Sequence, residues 1–194
     1  MEAHEYRKTV YTPEGDTLLL NRLWADDISK TKRTIKQKLI QNQDIRTLID
    51  NPDLKDTDDY SNYLYTNIFP FLLIPATISD KRNYICFKVD FADDSYYEDM
   101  RKENYLMRVV NIQFTVLVHK DNAKTDLGVE RHDALACVIR QMFSWAEKDF
   151  PSRLDPISDV EGITDNDYLT RTITFNAEYS RELTDSRRKN PYSN

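Results

Sequence analysis

Glycine is scarce in this chain, with only 3 glycines among 194 residues, against roughly 7% in average proteins. Phosphate-binding loops need closely spaced glycines so that backbone N–H groups approach the phosphate, and the sequence contains neither G-x-G-x-x-G nor G-x-x-x-x-G-K-[ST]. The scarcity therefore argues against a nucleotide cofactor and against a fold built on many tight turns.

Cysteine and long apolar runs are also scarce. The two cysteines, Cys86 and Cys137, lie in apolar segments, and we expect each to be a small buried side chain outside any disulfide framework, which fits a reducing compartment. The longest apolar stretch, 68–76, contains two prolines and is far shorter than the roughly 20 residues of a membrane span. Because the N-terminal residues contain no apolar signal core, we expect a soluble protein with no membrane partner.

The three histidines are His4, His119 and His132, and no H-E-x-x-H, C-x-x-C or G-x-S-x-G pattern accompanies them. The sequence thus lacks the common patterns of zinc sites and of nucleophilic catalysis. We predict no enzyme activity, no cofactor and no metal site. One alternative from a different class stays open, a metal-dependent nuclease that uses Lys88, Asp90, His119 and His132.

Two segments have helical periodicity. The first is 29–51, in which Ser29 is the predicted N-cap and Asn51-Pro52 marks the end. The second is 129–145, with Thr125 or Asp126 as the predicted cap. The first half of the first helix is basic, which predicts a solvated face or a contact for an acidic neighbour or DNA. The basic residues are Lys30, Lys32, Arg33, Lys36 and Lys38.

Three longer segments alternate apolar and polar residues, which is typical of strands with one covered face. Their apolar positions are Ile85, Phe87, Val89 and Phe91, then Leu106, Val110, Ile112, Phe114, Val116 and Val118, then Leu169, Ile173, Phe175 and Ala177. A short irregular strand is predicted near 157–163. The predicted fold is α+β, with a single mainly antiparallel or mixed sheet packed by one or two helices. The predicted divisions are an N-terminal arm (1–27), one domain (28–180) and a C-terminal tail (181–194).

The segment 52–82 is irregular and rich in tyrosine, phenylalanine and proline. Burial of each large apolar side chain stabilises a protein by roughly 1.5–3 kcal/mol, so a loop does not leave many of them in water. We expect these side chains to cover the domain's own core or to meet another subunit, with a tryptophan of the arm as a further anchor. The candidate interface residues are Tyr60, Tyr63, Tyr65, Phe69, Phe71, Leu72 and Trp24.

The run FTVLVHKDNAKTDLGVERHDALACVIRQMF (114–143) resembles a segment of tailed-bacteriophage neck proteins. The stretches TNIFPFLLIPAT, NYICFKVDF and DNDYLTRTITF are similar to the rest of the same pattern, so the resemblance covers about residues 60–180. Within that group the chain is most similar to tail terminators. The resemblance implies an α/β subunit that assembles as a hexameric ring, caps the tail tube, stops its polymerisation and presents a surface to the head connector.

Partners and location follow from this resemblance. We expect a homo-oligomeric ring in the tail or neck of the virion, assembled in the host cytoplasm, with the tail tube protein on one side and a head connector or stopper protein on the other. Another neck or tail-completion component of the same virion is the open alternative. The net charge of −6 fits a lumen through which DNA passes without specific binding. The acidic segment 90–99 is a solvated hairpin loop or a lumen wall, with Asp93, Asp94, Glu98 and Asp99 as the candidate lumen-facing residues.

Overall fold

Seven strands and three α-helices make up the described part of the chain. The computed structural model describes residues 9–11, 17–19, 27–72, 81–91, 107–144, 146, 148–150, 152–164 and 167–180. The strands are β1 (Thr9–Tyr11), β2 (Thr17–Leu19), β3 (Ile68–Phe69), β4 (Tyr84–Phe91), β5 (Met107–His119), β6 (Asp155–Ile163) and β7 (Tyr168–Ser180). The helices are α1 (Asp27–Gln41), α2 (Gln43–Ile49) and α3 (Arg131–Ser144), with short 3₁₀ helices at Pro52–Leu54, Tyr60–Tyr63 and Lys120–Asn122.

Five of the strands form one sheet in the order β3-β4-β5-β7-β6. Every pair in it is antiparallel except β3 with β4, which is parallel. The sheet is therefore mixed and open, and with its helices it confirms the predicted α+β class. The strands β1 and β2 pair as a separate antiparallel hairpin within the predicted arm. None of the described helices combines the length and apolarity that crossing a membrane requires.

The helices cover one face of the sheet, and the alternation read from the sequence identifies that face correctly. Ile85 and Phe87 of β4, Phe114 of β5 and Phe175 of β7 are fully buried in one core with α1, α2 and α3. Register places Phe114 opposite both Phe87 and Ile173. Since side chains in a strand alternate between faces, one set of positions supplies the whole helix-covered core.

The other sheet face was predicted to be polar, and at one end this prediction is wrong. Tyr84, Cys86, Leu117 and Tyr168 are buried there in a second, smaller cluster, against which Phe69 packs. On this face the aromatic rings pack on one another: Tyr84 lies 6.1 Å from both Phe69 and Tyr168, and His119 lies against Tyr168. The expected burial is confirmed for Cys86, whereas Cys137 is only partly buried; neither forms a disulfide.

The predicted single helix over 29–51 is two helices that meet at Asn42. The Asn42 side chain accepts a hydrogen bond from the Ile45 backbone N–H at 2.9 Å and so caps α2. Asparagine favours such caps because its short side chain competes for backbone groups. Since α1 already begins at Asp27, Ser29 lies inside the helix and the prediction that it is the N-cap is wrong.

The predicted caps of the second helix are also wrong, because α3 begins at Arg131, beyond both residues. Thr125 instead closes the preceding loop. Its hydroxyl donates to the Val129 carbonyl at 2.5 Å and accepts from the Leu127 N–H at 3.2 Å. Gly128 adopts the left-handed conformation within this loop, at φ 76°, a conformation that glycine tolerates best.

Candidate assembly surface

The aromatic segment is divided between the core and the surface. Asp59 accepts a hydrogen bond from the Ser61 backbone N–H at 2.9 Å and starts the 3₁₀ helix Tyr60–Tyr63. Tyr63 is 3% exposed, and its hydroxyl donates to the Leu54 carbonyl at 3.3 Å. The predicted interface role of Tyr63 is therefore corrected, because this ring belongs to the subunit's own core. Phe69 is half-buried and lies against Tyr84, with ring centroids 6.1 Å apart.

The pKa values of Asp59 at the surface and Tyr63 in the core both shift from their usual values. Hydrogen bonds from Ser61 hold the pKa of the Asp59 carboxyl below its usual range. The cap is thus present above the usual carboxyl pKa and is lost as the pH falls through the lowered value. Burial raises the pKa of the Tyr63 hydroxyl, because it disfavours the phenolate. Tyr63 therefore stays a hydrogen-bond donor over the physiological pH range.

The surface members are Tyr60, Tyr65, Phe71 and Leu72, which we call the aromatic patch. They are 42%, 58%, 46% and 45% exposed, respectively. Tyr65 occupies a turn with a positive φ of 63°, a conformation that turns the chain between Tyr63 and β3 and is uncommon for a tyrosine. The patch residues thus come from one segment, 60–72, on both sides of β3, and they present large apolar groups to solvent.

Cations from two helices lie on the tyrosines of the patch. The Arg46 guanidinium of α2 lies 3.7 Å from the centroid of the Tyr60 ring. The Lys36 Nζ of α1 donates to the Tyr65 hydroxyl at 3.2 Å and lies 5.4 Å from its ring centroid. Such contacts are worth about 0.5–1 kcal/mol at exposed sites and restrict the orientation of each ring. The exposed rings therefore have defined positions without being buried.

Three asparagines of the aromatic segment and its neighbours, Asn51, Asn67 and Asn83, are buried, and nothing in the sequence indicated the hydrogen bonds between them. Asn51 Nδ2 donates to Asn67 Oδ1 at 2.7 Å, Asn67 Nδ2 donates to the Asn83 carbonyl at 2.8 Å, and Asn83 Nδ2 donates to the Ile49 carbonyl at 2.9 Å. The Asn67 carbonyl also accepts from the Ile85 N–H at 2.8 Å. This asparagine ladder joins the end of α2, the aromatic segment and the start of β4.

The sheet has a second apolar surface on β6, which is an edge strand among the described strands. Ile157, Val160 and Ile163 are 57%, 59% and 71% exposed. A bulge between Pro156 and Ser158 interrupts the pairing with β7. Prolines, bulges and lysines all protect sheet edges from pairing with other chains. β6 has the proline and the bulge at its start but contains no lysine or arginine. We call residues 157–163 the β6 edge.

The inner side of β6 is joined to α3 by an ion network around Arg171. Arg171 donates to Asp159 at 2.7 and 3.2 Å and also bonds to Asp133, while Arg140 bonds to Asp159. Hydrogen bonds to both carboxylates raise the pKa of Arg171 above its already high usual value. The network holds an otherwise exposed strand against the helix and so fixes the position of the β6 edge.

Comparison with models of known protein families identifies the family of this chain. Residues 42–177 match the model of the YomW family, which is more than half of the chain. The chain belongs to the YomW family. That family is phage-derived, which agrees with the phage resemblance of the sequence. The match includes α2, the aromatic segment, α3 and nearly all of the five-stranded sheet. A comparison with curated proteins gives no match.

In this YomW-family chain, replacement of Arg171 by methionine is expected to lower the free energy of unfolding by about 1–3 kcal/mol. Methionine keeps the apolar stem but removes the arginine partner of Asp133 and leaves Asp159 with Arg140 as its remaining arginine. Urea unfolding of the purified variant measures the loss.

The control for this prediction is Arg153→Met, just before β6. Arg153 pairs with Asp155 at 3.1 Å, but both side chains are more than half exposed, so the change should stay below about 1 kcal/mol. Equal losses in the two variants would contradict the assigned role of the Arg171 network.

The nuclease candidates do not converge in the described structure. Lys88 and Asp90 pair with each other at 2.9 Å on the sheet face away from the helices. His119 lies on that same face, with its ring against Tyr168, but His132 of α3 is buried on the helix side, 3.4 Å from Glu161. The described residues contain no cluster of three or more metal-ligating side chains. The sheet therefore separates the two histidines.

Several predicted residues lie outside the described part of the chain. Trp24, the candidate anchor of the arm, is among them, as are the candidate lumen-facing acids Asp93, Asp94, Glu98 and Asp99. The tail 181–194 lies outside it as well.

Proposed function

We propose that this chain is a virion structural protein at the head–tail junction, a tail terminator whose ring caps the tail tube and joins it to the head connector. The proposed partners are further copies of the chain, the tail tube protein and a connector or stopper protein, with DNA passing through the lumen. The proposed location is the tail or neck of the virion, after assembly in the host cytoplasm.

The aromatic patch is the observation on which the proposal rests. Tyrosine and phenylalanine are enriched at protein interfaces because they present a large apolar area and lose little conformational entropy on contact. In this subunit three such groups, Tyr60, Tyr65 and Phe71, are exposed together with Leu72, although other apolar side chains of the same segment are buried. Together with the phage-derived family, exposed aromatic groups on a rigid base support an assembling virion component over an isolated monomer.

The rival proposal is a different neck or tail-completion protein of the same virion. Both proposals predict assembly. They differ in the step of virion assembly that fails when the chain is missing. A terminator ends polymerisation of the tube, whereas a completion protein joins parts that already have their final length. The nuclease alternative receives no support from the geometry, because its four residues lie on two faces of the sheet.

Tail length distinguishes the two proposals. A phage that carries a stop codon in this gene is expected to produce tubes longer than those of the wild type and detached from heads, visible by negative-stain electron microscopy. Complementation with the wild-type gene is the control. Tails of normal length that fail to join heads would favour the completion protein, and normal infectious virions would exclude both.

Addition of the purified chain to its polymerising tail tube protein gives an independent test. We expect shorter tubes as the concentration of the chain rises, with the chain at one end of each tube by immunogold labelling. Tube lengths that do not respond, or label along the whole tube, would count against termination.

A further inference from the structure

We propose that the copies contact one another head to tail, with the β6 edge of one copy packed against the aromatic patch of the next. The inference rests on the proposed function in one respect, since it assumes that the chain assembles with itself. It goes further by naming the two surfaces and by fixing the kind of symmetry.

The two apolar surfaces lie on opposite edges of one sheet. The aromatic patch surrounds β3 at one end of the strand order, and β6 is at the other end. With neighbouring strands about 4.8 Å apart, four spacings separate the two edges by roughly 19 Å. A ring requires two different surfaces on each copy, so that one surface of a copy meets the other surface of its neighbour. Two surfaces at opposite ends of a rigid sheet satisfy this requirement.

Most of the β6 edge lacks the features that prevent another chain from pairing with an exposed strand. Pro156 and the adjacent bulge blunt only its first residues. The Thr164 N–H donates to the Tyr168 carbonyl at 2.9 Å, so by alternation the backbone groups of Asp159, Glu161 and Ile163 are directed away from β7. Among the described strands these outer backbone groups have no partner, and an edge of this kind with exposed isoleucine and valine and no lysine is suited to contact with another protein.

Charge favours a contact between unlike surfaces over a contact between two β6 edges. Glu161 of the β6 edge and the neighbouring Asp155 are acidic and mostly exposed, whereas Asp159 is already paired with Arg171 and Arg140, so a contact between two β6 edges would bring exposed carboxylates together. The aromatic patch carries Arg46 and Lys36 directly on its tyrosines. Acidic residues of the turn 53–59 also precede the patch, and we therefore expect β6 to approach it from the α1 side.

A mixing experiment with two variants tests the arrangement. Ile163→Lys should disable the β6 edge, and Leu72→Lys should disable the aromatic patch. Both positions are exposed, so folding should be preserved, and circular dichroism checks this. Using lysine at both positions prevents the two changes from forming a new ion pair. The readout is the mass distribution by mass photometry and native mass spectrometry, at a concentration at which the wild type assembles.

We expect each variant alone to be monomeric and an equimolar mixture to form a dimer of one copy of each. In that dimer the intact patch of the Ile163→Lys copy meets the intact edge of the Leu72→Lys copy, and growth stops because both free surfaces are disabled. A mixture that stays monomeric would overturn the inference. So would assembly of either variant alone to wild-type size, or a wild-type chain that is monomeric at its highest soluble concentration.

Matched controls use two apolar residues of the loop 123–130, which belongs to neither edge. Leu127 is 67% exposed and Val129 is 48% exposed, close to the values for Ile163 and Leu72. Leu127→Lys and Val129→Lys should assemble as the wild type does. Loss of assembly in both would show that an added lysine prevents assembly wherever it is placed, and that the two surfaces are not specifically required. The tail-length test is separate. If tubes are terminated normally by variants that do not form the mixed dimer, the interface is wrong while the proposed function stands.

Discussion

Replacement of Phe114 by alanine is expected to lower the free energy of unfolding by about 3–5 kcal/mol. Phe114 lies at the centre of the helix-covered core, with ring centroids 6.0 Å from Phe87, 4.6 Å from Phe143 and 5.9 Å from Phe175. These partners come from β4, α3 and β7. Removal of the ring therefore opens a cavity between three elements that cannot all move inward, and the contacts of all three are lost.

Equilibrium unfolding in urea measures this loss, and Gln113→Ala is the control. Gln113 is the preceding residue of β5 and is half-buried on the opposite face, so its truncation should cost less than about 1 kcal/mol. If Gln113→Ala were as damaging as Phe114→Ala, the assignment of the two sheet faces would be wrong. Both variants should be measured at a concentration at which the chain is monomeric, because assembly adds to apparent stability.

The central position of Phe114 was predictable because the burial of a strand has a period of two residues. Valine, isoleucine and phenylalanine at alternate positions of β4, β5 and β7 identify one face without any knowledge of the neighbours. The same reasoning failed at the other face near Tyr84 and Tyr168. The burial there involves ring contacts between separate strands and Phe69 of β3, a strand of two residues that is too short to have a period.

Sequence alone did not show which of the candidate interface residues are exposed in the subunit. Tyr63 and Tyr65 lie two residues apart in the same polar context, yet one is in the core and the other on the surface. The difference arises from the end of a 3₁₀ helix and a left-handed turn at Tyr65. A non-glycine residue in that conformation is held there by its surroundings, and residue type alone gives no signal for it.

The asparagine ladder was missed for a related reason. Asn51, Asn67 and Asn83 are each separated by sixteen residues, and a sequence read in short windows treats each as a turn residue. Their hydrogen bonds form only after α2, the aromatic segment and β4 have come together. A buried polar network of this kind is a product of tertiary structure.

Replacement of Asn67 by alanine is therefore expected to destabilise the fold by about 2–5 kcal/mol. The substitution leaves the Asn51 amide and the Asn83 carbonyl without their partner in a buried site, and each unpaired group costs about 1–3 kcal/mol. Urea unfolding measures the global loss. The control is Asn62→Ala in the same segment. Asn62 is exposed and donates to Thr57 at 3.3 Å, so its loss should be below about 0.5 kcal/mol.

The same variant tests whether the ladder positions the aromatic patch. The patch itself is unaltered in Asn67→Ala, but the ladder no longer joins the aromatic segment to α2 and β4. Under conditions in which the variant is still folded, we expect faster amide hydrogen exchange over 60–72 and weaker self-association than in the wild type, because an ordered surface binds at a lower entropic cost than a disordered one. Unchanged exchange in this segment together with wild-type assembly would mean that the rings are held by Arg46 and Lys36 alone, and that the ladder contributes to stability without shaping the surface.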